Sequence, residues 1–215
     1  MSTAGMQSVG LLEVGGYASG LVVLDDLCKT ANVEVIQAEL NDLLGLCIRV
    51  GGPISDVEVA LESAGWTAER LGVTYVTHVI PSPAAAAAAA IFAEPEYTPL
   101  METDVVFFPT GGAGPSPSGK EPDVNPDASF AIGLIETQGY TAVIEAIDTA
   151  CKTAAVEVVG REKLGGGYIT VIIKGDVAAV RAAVEAGQAK VESLGKLIAA
   201  HVIPRPSDSV KRFYR

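Results

Sequence analysis

Apolar and polar positions along this chain repeat with two periods, and the clearest switch between them lies in VEVVGREKLGGGYITVIIKGD, residues 156–176. A β-branched run breaks at Gly165, Gly166 and Gly167 and then resumes, which predicts two strands joined by a tight turn. Without Cβ atoms the three glycines also let another backbone or a solute come close, so the turn is a candidate rim or contact surface. Beyond it, Val177, Val180, Val184, Val191 and Leu194 fall on one helical stripe, predicting a helix over 177–194 that packs on the hairpin.

The chain contains this pattern twice. Shifted by 123 positions, GLLEVGGYASGLVVLDDLCKTANVEV (10–35) falls on GLIETQGYTAVIEAIDTACKTAAVEV (133–158), and His78-Val79-Ile80-Pro81 falls on His201-Val202-Ile203-Pro204 without a gap. Over 7–83 against 130–206, 26 of 77 pairs are identical. Self-similarity at a fixed offset marks an internal duplication, and each copy is long enough for a small domain with a modest core of its own.

In copy one the periodicity predicts a strand over 8–14, a helix over 17–30, strands over 33–40 and 46–50 around a turn at Asn41-Asp42-Leu43, a helix over 55–71 with Val57, Leu61 and Ala64 inward, and a strand over 74–80. The order βαββαβ is the ferredoxin-like arrangement, repeated in copy two, so the fold class is α+β with two tandem ferredoxin-like domains. The alanine run Ala84 to Ala90 reads as a short helix with Ser82 as N-cap. Residues 94–127 then carry seven of the twelve prolines and one apolar island, Val105 to Phe108. This divides the chain into a first domain over 1–93, a Pro/Gly-rich linker over 94–129 and a second domain over 130–215, with the two domains side by side rather than stacked.

Composition narrows the partners. The chain is 49% hydrophobic with a net charge of −11, which argues against nucleic acid, whose affinity comes largely from Lys and Arg on phosphates, and against an anionic membrane surface. No stretch reaches the roughly 20 apolar residues of a spanning helix and none reads as a signal peptide, so a cytoplasmic location is expected. Cys28 and Cys151 are equivalent, in helices just before Lys29 and Lys152, and are expected to be buried thiols; Cys47 lies on a strand, where copy two has Thr170. With His78 and His201 these residues lack metal-ligand spacing, so neither a metal nor another cofactor is expected.

Motifs with chemistry are few. Val14-Gly15-Gly16-Tyr17-Ala18-Ser19-Gly20 is a glycine-rich strand-to-helix junction, but it departs from GxGxxG and reads as a tight turn. Glu13 and Glu136 end the first strand of each copy, and Asp25 and Asp148 are expected to face outward on the following helices. No nucleophile or oriented histidine accompanies them, so no catalytic role is expected.

Copy two combines an ETQG opening (136–139), KTAAVE (152–157), EKLGGG (162–167) and HVIPRP (201–206), and with these it closely resembles the bacterial microcompartment shell-protein domain. Copy one resembles the same domain with a diverged turn, so the whole chain is similar to tandem-domain, unpermuted shell proteins. That resemblance implies a structural, non-enzymatic subunit in the shell of a microcompartment. It further implies a homotrimer forming a pseudohexameric facet tile that meets other shell proteins and passes small metabolites through a central pore. The pore would be lined by Leu164, Gly165, Gly166 and Gly167 of copy two and by Asn41, Asp42, Leu43 and Leu44 of copy one. Tile-edge contacts would fall to Lys29, Lys152 and Arg205; Ser82 stands where copy one would carry a second arginine. Asp42 carboxylates at such a rim would favour cations or repel anions.

Two other classes remain open. One is an electron-transfer shell protein with a metal cluster at the pore, which needs a cysteine at the turn, whereas Cys47 lies four positions past Leu43. The other is a soluble ferredoxin-like ligand-binding protein with no shell role.

Overall fold

The computed structural model of the chain describes residues 8–41, 45–87, 91, 130–191 and 193–214. Asp42 to Leu44, most of the alanine run after Ala87, the linker and the apolar island at 105–108 lie outside the described residues.

Copy one runs β1 (Ser8–Gly15), α1 (Tyr17–Thr30), β2 (Glu34–Asn41), β3 (Gly45–Gly52), α2 (Ile54–Leu71) and β4 (Tyr75–Ile80), with one 3₁₀ turn at Ala85–Ala87. Copy two runs β5 (Ala131–Gln138), α3 (Tyr140–Thr153), β6 (Val156–Gly165), β7 (Tyr168–Gly175), α4 (Val177–Val191), β8 (Lys196–Ile203) and α5 (Asp208–Lys211), closed by a 3₁₀ turn at Arg212–Tyr214. Each copy builds one four-stranded sheet, in the orders β2-β3-β1-β4 and β6-β7-β5-β8, with the pairs antiparallel. This is the βαββαβ arrangement expected from the periodicity.

Strand β5 carries apolar residues on both faces because both of its faces are covered within the chain. On β5, Ala131 and Ile135 join the core under α3 and α4, while the alternate residues Ile132 and Leu134 face the other way and are also fully buried. Gly133 lets α4 sit close, since a Cβ there would meet Val184 Cγ2 at 2.5 Å and Val180 Cγ1 at 2.9 Å. Gly10, its counterpart, performs the same service for Val57 of α2.

Three expectations are corrected. The helix predicted over 177–194 ends at Val191, where the chain turns so that Gly195 can pass Gln138 O, and Leu194 is left exposed. Copy two keeps a core of its own under α3 and α4, but the core of copy one is not confined to that copy: Ile132, Leu134, Ile172, Ile203 and Val210 of copy two belong to one cluster with Leu21, Leu24 and Leu27 of α1. Asp25 faces inward at 7% exposure, whereas Asp148 is exposed as expected.

Candidate functional site: the seam between copies and the glycine turn

Helix α1 is apolar nearly all round, as a helix covered on opposite sides must be. One side rests on its own sheet and the other on the outer face of the copy-two sheet, along β5 and β8. Tyr17, Leu21 and Leu24 are buried to 1% exposure or less. Each such side chain contributes about 1.5–3 kcal/mol relative to an exposed position.

Polar contacts fix this seam. Glycine precedes α1 and supplies no side-chain cap. The cap comes instead from copy two: the carboxylate of Glu136 accepts from Ala18 N at 2.9 Å and from Tyr17 N at 3.4 Å. Glu136 is fully buried, and burial pushes its carboxyl pKa above the ordinary value against the opposing pull of those N–H groups. Negative charge at a helix N-terminus also meets the positive end of the helix dipole. Ser19 Oγ and His201 Nε2 lie 3.2 Å apart, and burial lowers the His201 pKa. Ser207 N donates to Asp25 Oδ1 at 2.7 Å, and Asp25 also accepts from Lys29 Nζ at 2.5 Å. Phe213 packs edge-on against Tyr17 with ring centres 6.2 Å apart. The Tyr17 hydroxyl is buried without a hydrogen-bond partner among the described residues, and burial together with Glu162 and Glu136 raises its pKa.

The same residues recur 123 positions away, and there they are uncovered. Tyr140 and Ile144 on α3, counterparts of Tyr17 and Leu21, are 56% and 41% exposed, and Val158 on β6 is 41% exposed. Glycine again precedes α3 without a side-chain cap. Glu13, the counterpart of Glu136, is exposed on the outer face of the copy-one sheet beside Val76 at 64% exposure, with His78 exposed two residues along β4. One chain thus carries a completed seam and the two unpaired halves of another.

That asymmetry also explains two readings that differ from expectation. Cys28 is half-buried beside Ser207 and Ser209, and burial raises its thiol pKa, but Cys151 is exposed rather than buried, since among the described residues no equivalent segment covers it. Lys29 and Lys152 each bridge to the aspartate four residues earlier, and the hydrogen bond to Asp148 raises the Lys152 pKa. Arg205 follows β8 and is exposed.

The copy-two turn forms as predicted: Gly165, Gly166 and Gly167 all have positive φ, at 90°, 58° and 84°. Positive φ at both central residues, Gly166 and Gly167, is what a type I′ two-residue hairpin turn requires. Gly167 O accepts from Gly139 N at 3.0 Å, which ties the turn to the start of α3. Leu164 is the penultimate residue of β6 beside it. In copy one, Asn41 ends β2 at the equivalent place and Gly45 opens β3. The structure therefore brings Leu164 to Gly167 together and sets Asn41 at the matching corner, while Lys29, Lys152 and Arg205 lie elsewhere. Cys47 sits on β3 between Glu13 and Glu39, and among the described residues no group of three His, Cys, Asp or Glu side chains is placed to hold a metal ion. Sequence reasoning missed the seam residues Glu136, Tyr17 and His201 as partners; the signal was present in the all-round apolar character of α1.

Comparison with known proteins assigns the class. The BMC domain family model matches residues 8–83 and 131–206, so both copies are BMC domains and the chain belongs to the bacterial microcompartment shell-protein family in its tandem-domain form. Among curated relatives, the bacterial microcompartment shell protein PduA of Citrobacter freundii is 51% identical over 82 residues, covering 38% of this chain and 88% of PduA. The carboxysome shell protein CsoS1 of Prochlorococcus marinus is 47% identical over 88 residues, covering 40% of this chain and 85% of CsoS1. Each is thus spanned by about one copy's length. A solved microcompartment protein from Desulfitobacterium hafniense DCB aligns over 96% of this chain and 99% of its own at 27% identity, with a TM-score of 0.38. Among the described residues no helix is long and apolar enough to cross a membrane.

Proposed function

We propose that this protein is a non-enzymatic structural subunit of a bacterial microcompartment shell. Three chains close into a pseudohexameric tile that meets other shell proteins and passes small metabolites through a central pore. The observation that carries this reading is the pairing of buried with exposed equivalents: Tyr17 with Tyr140, Leu21 with Ile144 and Glu136 with Glu13. The exposed members fall on two different surfaces, α3 and β6 on one and the outer face of the copy-one sheet on the other. Repeating the internal seam between chains would bury both. A rotation relating one copy to the next in a flat six-membered ring closes after three chains, and closed symmetry leaves no unpaired half.

In such a ring Glu13 would cap α3 of the neighbouring chain, and Asp148 would accept from the backbone of residue 84. The rim of the pore would alternate Leu164 to Gly167 with Asn41 to Leu44. The glycine turn supports this part of the reading: a Cβ at Gly165 would meet nothing within 4 Å, so the backbone itself borders open space. Lys29, Lys152 and Arg205 would meet neighbouring tiles.

Electron microscopy of the purified protein tests the reading. Hexagonal sheets of tiles with a central opening are expected; particles that never assemble at any concentration would overturn it.

A further inference from the structure

Two buried side-chain oxygens lack a hydrogen-bond partner among the described residues, the hydroxyls of Tyr17 and Thr170, and both lie at the seam between the copies. Thr170 is on β7 two residues before Ile172, so the two side chains share the face that meets α1. Its register partners are Glu136 on β5 and Glu162 on β6, which sets Glu136, Thr170 and Glu162 in one row across the sheet. Tyr17 packs in the same cluster as Leu134 and Ile172, and its hydroxyl feels the charge of both glutamates. A buried hydroxyl without a partner is costly, and two of them beside one pair of carboxylates call for a common partner.

The duplication shows how the other copy meets the same demand. In copy one the row is Glu13, Cys47 and Glu39. There Arg49, two residues along β3, bridges to Glu39 at 3.2 Å, so that row carries a cation of its own. The counterpart of Arg49 is Ile172, buried at the seam. Copy two thus keeps both glutamates, has a hydroxyl where copy one has a thiol, and gives up the arginine. Among the described residues no Lys or Arg bridges to Glu136, whose bonds go to Tyr17 N and Ala18 N.

We propose that the seam holds a monovalent metal cation of the sodium and potassium class, bound between the hydroxyl oxygens of Tyr17 and Thr170 and the carboxylates of Glu136 and Glu162. It takes the part of the arginine that copy two lacks. The donors are all oxygen, the set that hard cations prefer. Only two are carboxylates, and the fully buried one already accepts two N–H groups, a poor match for a calcium ion with its roughly six to eight oxygen ligands. A water molecule bridging the hydroxyls would satisfy them but leave the charge of Glu136 without a counter-ion, which burial penalises. The row of copy one, with a soft thiol and its own arginine, is not such a site. Binding ties α1 of copy one to three strands of copy two, so the cation stabilises the fold.

The full chain, exchanged into choline chloride at about pH 8, where carboxylates are ordinarily ionised, is titrated with sodium or potassium chloride at constant ionic strength. The expected result is a saturable rise in melting temperature of about 2–4 °C. The rise is expected to vanish in Thr170→Val and in Tyr17→Phe, which each remove one hydroxyl and keep the shape and the net charge. Crystals grown in rubidium chloride are expected to show an anomalous peak between Tyr17 Oη and Thr170 Oγ1. Melting that is the same in choline and alkali salts, a rise that persists in either variant, a response to calcium or magnesium alone, or a rubidium peak only elsewhere overturns the proposal. So does a Tyr17→Phe variant that is more stable by the same margin in every salt, the result for a hydroxyl that meets no ligand.

Discussion

Glu136, on the first strand of copy two, accepts the backbone N–H of Ala18 at 2.9 Å and so caps a helix that belongs to copy one. The helix cannot cap itself, because glycine precedes it. A single carboxylate therefore couples the entry of α1 to the position of the other domain.

The pH dependence of stability follows from the burial of this carboxyl, which raises its pKa in the folded chain. The folded chain then holds the proton more tightly than the unfolded one, so the associated stability is present below the ordinary glutamate pKa of about 4.3 and is lost as pH rises through the folded value. His201 acts with the opposite sign: burial lowers its pKa, so its stability is present above about pH 6.5 and is lost as pH falls toward the folded value. Melting temperature followed against pH is expected to show the first slope removed in Glu136→Gln and the second in His201→Gln. A Glu136→Gln profile parallel to that of the parent chain would contradict the account of this residue.

Tyr17 and Tyr140 are the same residue in equivalent places, yet substitution should act differently. Tyr17→Ala empties a buried site and is expected to destabilise the fold by about 3–5 kcal/mol in denaturant titration. Tyr140→Glu places a charge on an exposed position, so circular dichroism should be unchanged while association between chains is lost. Light scattering on Tyr140→Glu that still reports the parent mass would remove α3 from the contact.

Gly133→Ala tests the close approach of α4 to the sheet. Its Cβ would fall within 3 Å of three side chains, two of them β-branched valines with little freedom to move. Overpacking of this kind is expected to cost about 1–3 kcal/mol in chemical denaturation. Unchanged stability would mean that α4 can shift without loss.

Much of this was legible in the residues. The 123-residue offset and the two periodicities placed α1 at its observed bounds and the strands within a residue or two, because each element presents a regular apolar face. The glycine turn was equally legible, since consecutive glycines meet a two-residue hairpin that needs positive φ. The burial of Asp25 and the exposure of Cys151 were not. Both depend on whether residues after β8 cover the helix, which is a contact across some 180 positions for Asp25 and Ser207. Local pattern cannot distinguish Tyr17 from Tyr140 for the same reason: each follows a glycine and opens a helix, and what differs is the cover. The end of α4 was misread because Leu194 keeps the apolar stripe going, while Gly195 is required in a turn against Gln138.

The central claim, that the internal seam is repeated between chains until three of them close a ring, is tested most directly by the mass of the protein in solution from light scattering across a range of concentrations. The account predicts a particle of three times the 22.1 kDa chain mass, or a face-to-face pair of such particles. A single-chain mass at every concentration would contradict it.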